Sequence, residues 1–136
     1  PVTSDTIYIG KLLASLAVLL PLAVLMALAF CVLLAGGAVG VDLNLLLSTM
    51  LLGATGLAAL SALFGYVAAG SRVGDALLPL LVMPVSVPLL VGAVELSRKS
   101  FAGSAADSWK WLVLLASFDV LVTAAAVATF EYVVEE

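Results

Sequence analysis

Leu12 to Ala35 is a run of 24 residues without a single charge. At 1.5 Å rise per residue, a helix of that length exceeds the roughly 30 Å hydrocarbon core of a bilayer, so it can cross with some tilt. Three further apolar runs follow, at about residues 45–69, 76–94 and 112–134. Lipid offers backbone N–H and C=O groups no partners, so such segments must close their hydrogen bonds internally. The expected fold is an all-α integral membrane bundle of about four transmembrane helices, organised as a single membrane domain over residues 1–136. A soluble alternative fails on composition: the chain is 65% hydrophobic and 10% charged, with a mean hydropathy of +1.32, whereas soluble domains are about half apolar and a quarter charged. A chain this short has too little interior to hide four such runs from water.

The runs differ in character. Pro21 removes a backbone donor inside the first, which predicts a bend. Gly36, Gly37 and Gly40 with Asp42 and Asn44 then read as a turn. The second run is rich in small residues, with Ser61, Gly65 and Ala69 at every fourth position and a parallel row of Ala54, Ala58 and Ala62. Small-residue rows let membrane helices approach closely, and the Ser61, Gly65 and Ala69 row is taken as a packing face. Gly70 to Asp75 is a tight connection whose basic residue is Arg72. Pro79, Pro84 and Pro88 in the third run predict a kinked or interrupted helix and mark it as a candidate gating element. Glu95 to Ser108 is polar, and Trp109 and Trp111 flank Lys110 at the expected headgroup level.

Several function classes are excluded. The formal net charge is −4 and no basic stripe is present, which argues against nucleic-acid binding. One cysteine, Cys31, and no histidine leave no internal disulfide and no expected metal or cofactor site, nor a histidine ligand for heme. Cys31 reads as a small buried hydrophobe. No phosphate-binding loop, nucleophile elbow or zinc-protease motif occurs, so an enzyme ranks last among the readings. Glu95 and Lys99 have the i,i+4 spacing of a helix-stabilising pair. Asp119 is the sharpest single residue, because an intramembrane carboxylate costs at least about 2.5 kcal/mol on insertion scales and is functional by default. The bland alternative is that it is protonated, or hydrogen-bonded to small polar residues of a neighbouring helix such as Ser61 or Ser86.

The opening PVTSDTIYIGKLLAS, with Ile7, Tyr8, Gly10 and Lys11, resembles the stretch that begins the third transmembrane helix in the CcmB family. The stretch LLGATGLAALSALFGYVAAGSRVGDALLPLLVMPVSVPLLVGAVE is similar to the same family, with its glycine-rich span, small basic turn and proline spacing, as is the tail FEYVVEE. The resemblance implies a permease subunit of an ABC-type system for cytochrome c maturation, built like a six-helix type-2 exporter. The four runs would then be its third to sixth helices, and a start at Pro1 instead of methionine reads as N-terminal truncation. It also implies a separate ATPase, CcmA, and the partners CcmC, CcmD and the heme chaperone CcmE, the activity being heme export or release of the heme-loaded chaperone; the absence of histidine here fits handling of heme by the partners. The expected location is the bacterial inner (cytoplasmic) membrane, multi-pass, with a cytoplasmic C-terminus. Lys11 and Arg72 on that side against Arg98, Lys99 and Lys110 opposite lean slightly the other way. Asp119 departs from family members that carry an uncharged residue there, so no role is carried over to it.

On this reading the polar segment before the first span contacts the ATPase, with Asp5, Tyr8 and Lys11 as coupling candidates. The competing readings are a permease of another type-2 ABC exporter and a structural membrane scaffold that moves no substrate.

Overall fold

The computed structural model describes residues 3–34, 40–70 and 74–134. Four helices carry the described chain: α1 (Ser4–Leu34), α2 (Leu43–Gly70), α3 (Gly74–Phe101) and α4 (Ser108–Val134). Each is long and apolar enough to cross a membrane, so the chain is an all-α integral membrane protein. Arg72, Gly36 and Gly37, read above as parts of turns, lie outside the described residues, as does the side chain of Asp5.

Two boundaries differ from the sequence expectation. Helix α1 begins at Ser4 rather than Leu12, so Tyr8 and Lys11 sit on a helix and not in an exposed connection. Helix α3 runs on to Phe101 rather than stopping at Val94. Its polar last turns stay helical because Arg98 pairs with Glu95 at 3.0 Å and Lys99 donates to the Ala106 carbonyl at 2.6 Å. Glu95 thus pairs at i,i+3, and the expected Glu95–Lys99 pair is not formed.

The three prolines do not interrupt α3, which passes through Pro79, Pro84 and Pro88 as one helix. All three are exposed, so their rings point away from the α2 and α4 contacts. The face that packs, with Leu89, Gly92 and Leu96 buried, supports the helix where the backbone ladder loses donors.

Helix α2 is the hub. Half of its apolar window is buried, against 6% for α1, 11% for α3 and 17% for α4. It touches each of the other helices. The buried row is Ala54, Ala58 and Ala62, with Ala58 and Ala62 at 0% exposure. Close approach through small side chains is the main attraction available between helices in lipid. One cluster joins Leu45, Ala59 and Leu60 of α2 to Leu89 and Leu96 of α3 and to Leu115 and Val122 of α4.

The helices alternate in direction. At one end Tyr8 of α1 packs on Phe130 of α4 with ring centroids 5.2 Å apart, and Phe130 stacks on Tyr66 of α2 at 3.9 Å. At the other end the turn into α2 is clamped to α3: Asp42 N–H donates to the Ser100 carbonyl at 2.9 Å, and Ser100 Oγ donates to the Asp42 carbonyl at 2.7 Å. Asp42 also caps α2, its Oδ1 accepting from Leu45 N–H at 3.1 Å. Gly103, at φ +63°, lies against the Gly40 carbonyl, and a Cβ there would stand 2.5 Å from that oxygen. Beyond the clamp, Lys110 pairs with Asp107 at 3.0 Å, and its hydrogen bond and charge hold the Asp107 carboxyl below the usual range.

Candidate functional site

Helix α4 presents Asp119 and Thr123 one turn apart, and that spacing places both on the side facing α2 and α1. Thr55 of α2 meets Asp119: Thr55 Oγ1 donates to Asp119 Oδ2 at 2.7 Å. The same hydroxyl lies 3.0 Å from the Leu51 carbonyl and 2.9 Å from the Leu52 carbonyl. A hydroxyl carries one proton and accepts as well as donates. The pair therefore has two satisfied arrangements, Thr55 donating to a carboxylate, or Thr55 donating to its own helix while a carboxylic acid donates to Thr55.

The partner differs from those expected. Ser61 Oγ donates to the Leu57 carbonyl at 2.8 Å and Ser86 Oγ to the Met83 carbonyl at 3.0 Å, each within its own helix. Thr55 was legible only as the one threonine in the middle of the second run, and nothing in the sequence paired it with Asp119. No lysine or arginine forms an ion pair with Asp119 among the described residues, whose two ion pairs both lie at the α3–α4 end.

Asp119 Oδ1 has no hydrogen-bond partner and is buried. It packs on the bare backbone of Gly56, where a Cβ would stand 2.5 Å from it. Tyr8, 2% exposed, also has an unpartnered hydroxyl. Thr123 is the polar side chain beside that hydroxyl, outside the geometry of a normal hydrogen bond. Thr55, Asp119, Thr123 and Tyr8 thus form a polar seam through an otherwise apolar interior. Along it runs an open groove of about 660 Å³ lined by Thr55, Asp119, Thr123, Ala124, Ala128 and, at its end, Glu131.

The other sequence candidates do not join this seam, Tyr8 excepted. Tyr8 is buried against Phe130 and Thr123, which corrects its expected place on an exposed coupling surface; the i,i+4 pair Tyr8 and Leu12 packs with α2 and α4. Lys11 is exposed, its Nζ lying over Gly65 of α2. Of the expected packing row, Ser61 and Ala69 are exposed and only Gly65 is partly covered. The three prolines of α3 lie apart from the seam, and Cys31 is only partly buried, as a free thiol.

A second, apolar groove lies between α1 and α3, with Met50, Gly53 and Ala54 of α2 as its floor. Among the described residues no group of His, Cys, Asp or Glu side chains is placed to hold a metal ion. No curated protein and no solved structure matches the chain. The profile of the CcmB protein family matches residues 1–134. With that match over nearly its whole length and its membrane-spanning helices, the chain belongs to the CcmB family, the membrane permeases of heme export in cytochrome c maturation.

Proposed function

We propose that the chain is the membrane permease subunit of an ABC-type complex for cytochrome c maturation, driven by a separate ATPase corresponding to CcmA. CcmC, CcmD and the heme chaperone CcmE are its proposed partners, and the bacterial inner membrane its location, with the α4 end of the chain cytoplasmic. The observation that carries this reading is the family match over residues 1–134. Within it, the start of α1, the end of α2, the start of α3 and the end of α4 share one end of the bundle, and that end is the proposed docking surface. Lys11, exposed over α2, and the Asp5 turn are its proposed contacts. Tyr8 is proposed to transmit the motion, because it joins α1 to α4 through Phe130.

Co-purification and maturation test the two roles separately. Lys11→Glu is expected to reduce recovery of the ATPase with the tagged permease. Tyr8→Ala is expected to keep recovery while lowering covalent heme in c-type cytochromes. An ATPase that never co-purifies, with cytochrome c maturation intact in cells lacking this chain, refutes the proposal.

A further inference from the structure

Two buried oxygens lack partners, Asp119 Oδ1 and Tyr8 Oη; Thr123, one turn from Asp119 on α4, stands beside the Tyr8 hydroxyl. Hydrocarbon cannot satisfy either, and each orphan group is costly there. The seam also borders the groove of about 660 Å³. A water needs roughly 30 Å³ and two to four polar partners. Thr55, Asp119 and Thr123, which line the groove, supply them. At its far end the groove reaches Glu131, which is exposed and lies about 18 Å along α4 from Asp119 at 1.5 Å per residue.

We propose that Thr55, Asp119 and Thr123, with Tyr8 beside Thr123, hold water inside the membrane, forming a hydrated carboxylate site reached along the groove from its Glu131 end. The other ionisable groups near the seam are few. Helix α1 brings Tyr8 and Lys11, α2 brings Tyr66, α4 brings Glu131, and α3 carries none between Asp75 and Glu95. Water is therefore the bridge between Asp119 and the end of the bundle. The two proton arrangements of the Thr55–Asp119 pair let that water deliver or remove a proton at Oδ1 or Oδ2. This inference does not depend on the identity of the ATPase or of the cargo.

Cysteine accessibility tests it in the full protein in membrane vesicles. In a Cys31→Ser background, Ala124→Cys and Ala128→Cys line the groove, whereas Leu121→Cys and Ala125→Cys lie outside it on the same helix, both exposed. The probe is a charged methanethiosulfonate. A thiolate attacks its sulfenyl sulfur, the mixed disulfide forms and methanesulfinate leaves. Thiolate forms in water and is suppressed in an apolar setting, so the groove positions should label at least about tenfold faster than the controls. Adding Asp119→Leu should slow Ala124→Cys to the control rate, with thiol counted after denaturation to confirm the protein is present. Groove positions that do not label, controls that label equally, or labelling indifferent to Asp119→Leu would each overturn the site. Should Asp119→Leu expose the control positions, the decision passes to Thr123→Val, which removes a hydroxyl at nearly constant shape and should slow Ala124→Cys in the same way; an unchanged rate then refutes the proposal.

Discussion

Gly56→Ala sets two opposed effects against each other in the middle of α2. Alanine gains about 1 kcal/mol over glycine in a helix interior. Against this, the new Cβ would stand 2.5 Å from Asp119 Oδ1 and 2.5 Å from Leu89 Cδ1, and both neighbours are held. Leu89 is buried in the main cluster, and Asp119 is tied to Thr55 at 2.7 Å. Overpacking of a well-filled site costs about 1–3 kcal/mol, and breaking a hydrogen bond to a charged group about 1.5–3 kcal/mol more. The net expectation is a destabilisation of about 1–3 kcal/mol, since Asp119 and Leu89 each yield in part. Gly53→Ala is the internal control, because its Cβ would meet nothing within 4 Å, and it should stabilise by up to about 1 kcal/mol. The assay is reversible unfolding in mixed micelles, followed by the fluorescence of Trp109 and Trp111. If Gly56→Ala matches or exceeds the parent, helix propensity outweighs contact and the close α2–α4 approach is wrong. Combining it with Asp119→Ala should recover part of the loss.

Ala58→Leu should prevent stable packing, at about 1–3 kcal/mol or more for overfilling a fully buried site, whereas Ser61→Leu on the exposed face should change detergent stability by less than about 0.5 kcal/mol. Gly65→Leu should push Lys11 off α2 and lower ATPase recovery more than stability; equal loss of both in a pull-down would contradict the placement of Lys11. Ser100→Ala should cost about 0.5–1.5 kcal/mol by removing one hydrogen bond from the part-buried Asp42 carbonyl, which keeps the Leu46 N–H as a donor, measured by the same unfolding assay. Replacing Pro84 and Pro88 with alanine restores donors toward the Leu80 and Pro84 carbonyls, and under the proposed mobile role of α3 heme attachment to c-type cytochromes falls while membrane insertion stays normal; full attachment would make these prolines dispensable.

The membrane class was legible because length and hydropathy alone decide it, as Leu12 to Ala35 shows. Helix ends were less so. Ser4 to Lys11 and Glu95 to Phe101 look polar, yet a helix continues past the hydrocarbon wherever caps and i,i+3 pairs such as Glu95–Arg98 hold it. Both small-residue rows were visible in α2, but periodicity cannot tell which row faces the bundle. Ala54, Ala58 and Ala62 are the buried set because neighbouring helices cover that side, Tyr8 of α1 and Ala126 and Phe130 of α4 packing with Ala62. Asp119 stood out by its cost in lipid, while its partner did not, since the Thr55 contact spans 64 residues of sequence. Tyr8 was misread for the same reason. Its burial depends on Phe130 at the far end of the chain.

The central position of α2 bears on how the chain is made. Its neighbours α3 and α4 follow it in sequence, so during synthesis α2 waits in the bilayer with α1 alone, before those two helices add their share of its cover. Its hydroxyls do not wait unpaired: Thr49 donates to the Leu45 carbonyl at 2.7 Å, and Thr55 has the Leu51 and Leu52 carbonyls within 3.0 Å. Such back-bonding lets a small-residue helix persist alone in lipid. Asp119, the costly residue, is synthesised later and meets a partner already in place. The order of the helices thus matches the order in which polar groups can be sheltered, and substitutions in α2 that add polarity should be felt first by the insertion machinery, before any packing defect can form.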